Sequence, residues 1–153
     1  MSNTPLPRSG ASTQRPLIGS LLRLPHEAVT ARLLAALQAA GHDLSPTELG
    51  VFLYPGPEGR RPSDLARQCH MSRQAMNYVL AALERRGYLE RSGTAAASGR
   101  LVRATAQGHD VFARMRRCVM QIEREWRAHL GAERFEELRA TLLHLSRWLG
   151  KAE

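Results

Sequence analysis

Lysine is all but missing from this chain: Lys151 is the only one, so the net charge of +8 rests on arginine. Aromatic residues are also scarce, at 5%. With Leu and Ala abundant, that scarcity argues against a sheet protein built on aromatic and β-branched side chains and for a mainly helical one. The two cysteines, Cys69 and Cys118, stand far apart with no CxxC or Cys/His ligand spacing, which excludes a disulfide framework or a zinc module. Two buried reduced thiols is the plain reading, and a redox switch would need an exposed thiolate of lowered pKa. No apolar run approaches the ~20 residues that span a bilayer, and the polar start carries no signal-peptide core, so no membrane partner and a cytoplasmic location are expected. Catalytic frames are missing as well: there is no HExxH, P-loop or nucleophile elbow, and no paired carboxylates in a recognisable arrangement. The six histidines are scattered, with no two at four-residue spacing on one helix. Neither an enzyme, a metal site nor a cofactor is expected.

What is present is an arginine-rich chain of 153 residues with a pI near 10.9, for which polyanions are natural partners. Arginine donates two parallel hydrogen bonds to phosphate or to a guanine edge, although an arginine bias can also reflect genome composition. Residues 1–16, rich in Ser, Thr, Pro and Gly, read as a disordered basic arm, either inert or touching phosphate. Leu17, Leu21, Leu24, Val29, Leu33 and Leu37 recur at helical steps and place a first helix in 17–41, with Gly41 as its stop. Pro25 leaves two forms open, a kinked helix or a turn followed by a helix. Ser45, Pro46 and Glu48 form a capping sequence for a second helix, and 55–59 is turn-rich.

The sharpest signal lies between Arg61 and Thr105. Residues 62–69 read as a short helix with Leu65 and Ala66 inward and Ser63, Arg67 and Gln68 outward. His70 and Met71 connect it to a longer helix, capped by Ser72, whose Met76, Val79, Leu80 and Leu83 share one face up to Gly87. Two helices joined by so short a turn make a helix-turn-helix, in which the start of the second helix meets base edges in the major groove. Ser72, Arg73, Gln74, Asn77 and Tyr78 face outward there. Arg suits guanine, Gln or Asn suits adenine, and Ser or Tyr suits phosphate; a solvated polar face accounts for the periodicity equally well. The alternating segments 88–91 and 100–105 around a small-residue loop predict a β-hairpin, which completes a winged helix.

The run MSRQAMNYVLAALERRGYLER at 71–91, followed by RLVRAT at 100–105 and Gly108, resembles the MarR (multiple antibiotic resistance regulator) family of winged helix-turn-helix transcriptional regulators. The resemblance extends over most of 17–149, with the outer helices matched only in order and length. It implies a homodimer acting on double-stranded DNA, usually a repressor released by a small aromatic effector. By position it also implies that Arg73, Gln74, Asn77 and Tyr78 occupy the groove-facing sites of the recognition helix. The leading expectation is that Arg73, Gln74 and Asn77 read bases while Ser63, Arg67, Ser72, Tyr78 and Arg100 hold the DNA backbone. One departure stands out: where family wings carry an acid and, two residues on, an arginine, this chain has Ala96 and Ser98. Arg100 and Arg103 are the nearest substitutes. A wing tip of Ala and Ser cannot donate charge-assisted bonds to a narrow minor groove, and this opens an alternative, a winged-helix protein-interaction module with weakened DNA binding.

The expected architecture is therefore mainly α with a small β-hairpin wing. It divides into an N-terminal dimerisation helix at 17–41, a winged module at 42–105, C-terminal dimerisation helices at 106–150 and a tail at 151–153. Val111, Met115, Cys118, Ile122 and Trp126 stripe a helix capped by Thr105, and Gly131 breaks it. Phe135, Leu138, Leu142, Leu145 and Leu149 then alternate steps of three and four, a coiled-coil-like seam. With Leu17 and Leu21 they form the expected homodimer interface, because the winged module is too small to cover all these faces. His26 and Trp126 are candidates to border an effector cleft between the lobes.

Overall fold

The computed structural model describes residues 15–53, 59–92 and 101–150. The expectations placed on the basic arm, the wing tip with Ala96 and Ser98, Arg100 and the tail lie outside them. The described chain begins with α1 (Ile18–Ala39), one helix that runs through Pro25. It ends at Gly41 through paired backbone bonds, Gly41 N–H to the Gln38 carbonyl and His42 N–H to the Leu37 carbonyl. α2 (Pro46–Phe52) starts from the predicted capping box: Ser45 Oγ accepts the Glu48 N–H, and Glu48 accepts the Ser45 N–H at 2.8 Å.

α3 (Pro62–Gln68) and α4 (Arg73–Arg85) make the helix-turn-helix. Met76, Val79, Leu80 and Leu83 of α4 are buried against Leu65 and Ala66 of α3, Val51 and Phe52 of α2, and Val111 of α5. Gly87, at φ 78°, closes α4 with the same pair of bonds that closes α1, Gly87 N–H to Glu84 and Tyr88 N–H to Leu83. β1 (Leu89–Ser92) and β2 (Leu101–Ala104) then pair antiparallel in the register Leu89↔Ala104 through Ser92↔Leu101.

Periodicity did not reveal a third strand position. Arg60 bridges Val102 through two backbone hydrogen bonds of 2.8 and 3.0 Å, so the segment before α3 lies along the other edge of β2. Gly59 makes that approach possible: its φ is 79°, and a Cβ there would lie 2.6 Å from the Val102 carbonyl oxygen.

α5 (Ala106–Leu130), capped by the Thr105 hydroxyl, runs back along α1. Among the described residues His42 is the buried polar side chain; its ring nitrogens face the Tyr88 hydroxyl at 3.3 Å and Asp110 Oδ2 at 2.9 Å. Bonds from Arg114 and then His42 hold the Asp110 carboxyl below its ordinary range. This chain of contacts ties the end of α1, the base of the wing and the start of α5. α6 (Ala132–Leu149) turns away at Gly131 and packs on α5 through Phe135.

Candidate nucleic-acid interface

α4 is held at its start by a side chain and at its end by ion pairs. Ser72 Oγ accepts the Ala75 N–H at 3.1 Å. At the other end Arg86 donates to Glu48 Oε1 at 2.9 Å and to the Asp43 carbonyl, with its guanidinium 5.2 Å from the Tyr88 ring centre. Burial opposes the charge on Glu48, but the Ser45 amide and hydroxyl and Arg86 outweigh it and draw the carboxyl below its ordinary value. The end of α4 is thus docked on α2 by a pair in which Glu48 is mostly covered and Arg86 stays exposed. Arg91 reaches back from β1 to Glu84 of α4 at 2.6 Å, fixing the angle between hairpin and helix.

With one face of α4 anchored in the core, Arg73, Gln74, Asn77 and Tyr78 all lie exposed on the other; Tyr78 is 74% exposed. Among the described residues no carboxylate pairs with Arg73. An arginine fork, two amide-bearing positions and a phenol thus stand together on the first two turns of a rigid helix. Chemically, that is a surface able to donate to and accept from base edges and to donate to phosphate oxygens.

The flanking residues differ more from expectation. Ser63 is half-buried in the first turn of α3. Arg67 is exposed but leans on Asp64 at 3.4 Å, and the Ser72 oxygen is committed to the cap, leaving only its proton to donate. Gln68, expected outward, is half-buried with Oε1 sealed from water and without a hydrogen-bond partner. Arg103 is exposed on β2 opposite Glu90. Arg60 and Arg61, also exposed, were not singled out from the sequence because an isolated bridge has no alternating pattern to reveal it.

A family model described as the MarR family matches residues 51–101, the span from the end of α2 into β2. Over that third of the chain the similarity is to the MarR family. This is a family of transcription regulators rather than enzymes. Among solved structures, a Mycobacterium tuberculosis MarR family protein in complex with salicylic acid is 26% identical, covering 86% of this chain and 98% of its own at a TM-score of 0.62. The oxidized form of MarR from E. coli is 19% identical, with 86% and 96% covered and a TM-score of 0.70. NadR in complex with 4-hydroxyphenylacetate is 20% identical, with 90% and 100% covered and a TM-score of 0.69. At these identities the last two show the fold alone. No curated protein matches the chain significantly.

A cavity of about 660 Å³ opens between α1, α2 and the turn joining α3 to α4. Of the two residues expected to border an effector cleft, His26 lines this cavity and Trp126 does not. Its floor is the helix-turn-helix turn itself, and Cys69 there has its thiol pushed up by burial, the opposite of an activated thiolate. Composition offered no signal for this cavity, since its walls come from three separate stretches of chain. Among the described residues no cluster of three potential metal ligands exists and no helix is long and apolar enough to cross a membrane.

Proposed function

We propose that this chain is a sequence-specific regulator of transcription that binds double-stranded DNA as a homodimer on an inverted repeat, represses nearby genes and is released by a small aromatic effector. The single observation that carries the reading is the docking of α4: four buried side chains and the Arg86–Glu48 pair fix a helix whose opposite face offers Arg73, Gln74, Asn77 and Tyr78 to solvent. Arg73, Gln74 and Asn77 read bases. Tyr78, the Ser72 hydroxyl, Ser63, Arg67 and Arg100 hold the backbone, with Arg60, Arg61 and Arg103 close by on the wing side. The two recognition helices of a two-fold dimer address half-sites about one DNA turn, ~34 Å, apart. The salicylic acid carried by one structural neighbour supports an aromatic effector here.

Selection from random duplexes tests the reading. The wild type should enrich an inverted repeat, and its affinity should fall steeply with salt as arginine–phosphate contacts release counterions. Arg73→Ala should weaken binding by about 1–3 kcal/mol and relax preference at one position in each half-site. Unchanged preference in that variant removes the base-reading role. No duplex binding even at low salt turns the assignment to the protein-interaction module that the Ala/Ser wing suggests.

A further inference from the structure

His42 is buried where the end of α1, the head of the hairpin and the start of α5 meet. Its Nε2 lies 2.9 Å from Asp110 Oδ2 of α5, and its Nδ1 lies 3.3 Å from the Tyr88 hydroxyl just before β1. An ionised carboxylate can only accept, and the bonds from Arg114 and then His42 that hold Asp110 below its ordinary range keep it ionised wherever histidine titrates. Nε2 therefore carries a proton, and in the neutral ring Nδ1 is the acceptor of the Tyr88 O–H. The order of donation is then fixed, from Tyr88 to His42 to Asp110. A second proton, on Nδ1, reverses the first of these bonds. Tyr88 is 3% exposed and, among the described residues, its hydroxyl has no other hydrogen-bond partner, so reversal leaves a buried O–H without an acceptor.

The charges around the ring act in the same sense. Arg114 of α5 is already paired with Asp110 at 2.7 Å. Arg86, at the end of α4 with its guanidinium 5.2 Å from the Tyr88 ring centre, is paired with Glu48 of α2 at 2.9 Å. Asp43, next to His42 in the chain, is exposed and gives Arg86 its backbone carbonyl. With His42 neutral, Arg114 and Arg86 each have a carboxylate; with His42 protonated, a positive charge is added at a buried position with no carboxylate of its own. From this geometry we infer that His42 is a positioning residue of the DNA-reading module: its neutral ring locks the joint between recognition helix and hairpin, and protonation releases it. Tyr88 carries the effect. Its N–H closes α4 on the Leu83 carbonyl, its own carbonyl takes the Thr105 N–H at 3.1 Å, and a Cβ on Gly108 of α5 would lie 2.3 Å from that carbonyl oxygen. Main chain so closely enclosed passes a shift of the ring to the end of α4 and to both strands. The inference deepens the proposed function by giving it a proton dependence, and it rests on that reading for its meaning in DNA binding.

¹⁵N-resolved NMR of the full chain from about pH 8 to about pH 5, the window in which histidine changes charge, tests the joint without DNA. At the alkaline end the His42 ring should hold its proton on Nε2. On acidification it should take the second, and the backbone amides of Gly87, Tyr88 and Leu89 should shift with the same midpoint. His42→Gln keeps a donor for Asp110 without a titrating nitrogen, and Tyr88→Phe keeps the ring, 6.0 Å from that of Phe52, without the hydroxyl. Neither variant should show those amide shifts, and if one fails to fold the other carries the test. On a duplex selected by the wild type, affinity should fall about fivefold across the same window, the worth of one hydrogen bond, and should not fall in either variant. Such a fall opposes the general effect of acid, since protonating the exposed histidines adds positive charge and favours DNA. A His42 ring that keeps one protonation state throughout, Gly87–Leu89 amides unmoved while it titrates, a wild-type affinity that does not fall, or effects that persist in the variants would each overturn the inference. Absence of duplex binding at every pH would instead sink the proposed function, and the amide shifts would still decide whether His42 governs the joint.

Discussion

The same backbone motif closes α1, α3 and α4, and the residue at its left-handed position is Gly41, His70 and Gly87 in turn. An L side chain in that conformation costs roughly 1–2 kcal/mol, partly offset by the greater freedom a glycine loses on folding. Two substitutions should therefore have opposite signs at equivalent positions. His70→Gly should raise stability, by a few tenths to about 1 kcal/mol, and Gly87→Ala should lower it by about 1 kcal/mol. Urea denaturation of both variants checks this. If His70→Gly proves destabilising, the imidazole makes contacts worth more than the strain. Sequence showed the Gly41 and Gly87 stops plainly, because glycine announces the conformation. It could not show that His70 shares it, since nothing in a histidine's chemistry does.

At the scale of elements, what was legible follows from local physics. The Ser45 capping box, the Ser72 and Thr105 caps and the inward face of α4 are fixed by residues within a few positions of one another, and the structure has each of them. The Arg60–Val102 bridge, the Gln68 orphan and the cavity depend on residues brought together from distant parts of the chain, where periodicity carries no information. The pairing of α1 with α5 is another such contact. Arg32 and Glu125 form a two-pronged ion pair across it, one bond measuring 3.0 Å. The Arg32 bond, helped by Gln121, draws the Glu125 carboxyl from its ordinary 4.5 to about 2. A carboxyl lowered in the folded state stabilises above its unfolded pKa and loses that effect as pH falls through the folded one. The wild type should therefore exceed Glu125→Gln in stability by a constant margin at pH 6–7. That margin should shrink below about pH 4.5 and vanish near pH 2. Parallel denaturation of the two proteins isolates the pair, because every other carboxylate titrates in both. A margin independent of pH would show that the carboxylate acts by packing rather than charge.

At the scale of the molecule, the proposed homodimer turns on the seam on α6. Its first member, Phe135, is 7% exposed and packs on α5, so this residue, expected at the dimer interface, is already covered by its own chain. The Arg127–Glu136 and Arg139–Glu123 pairs hold the same end of α6 to α5. Beyond them the seam continues along the same face through Leu138, Leu142, Leu145 and Leu149, now 36–53% exposed, while Leu17 and Leu21 stand at 80% and 51% on α1. A stripe that begins as core and ends in water is not a stable surface for a monomer, since contiguous exposed apolar patches of this kind mark association sites. A second copy meeting these helices about a two-fold axis would cover both stripes at once and would set the spacing of the two α4 helices. Sequence alone located the seam, but a heptad pattern looks the same whether its own chain or another covers it. Sedimentation velocity at micromolar concentration should give twice the 17.0 kDa chain mass. Leu142→Glu with Leu145→Glu should shift it to a single chain mass while circular dichroism retains the helices of the winged module, whose core touches neither residue. A wild type that sediments as one chain would remove the dimer, and with it the inverted-repeat operator, while leaving a single α4 free to read one half-site.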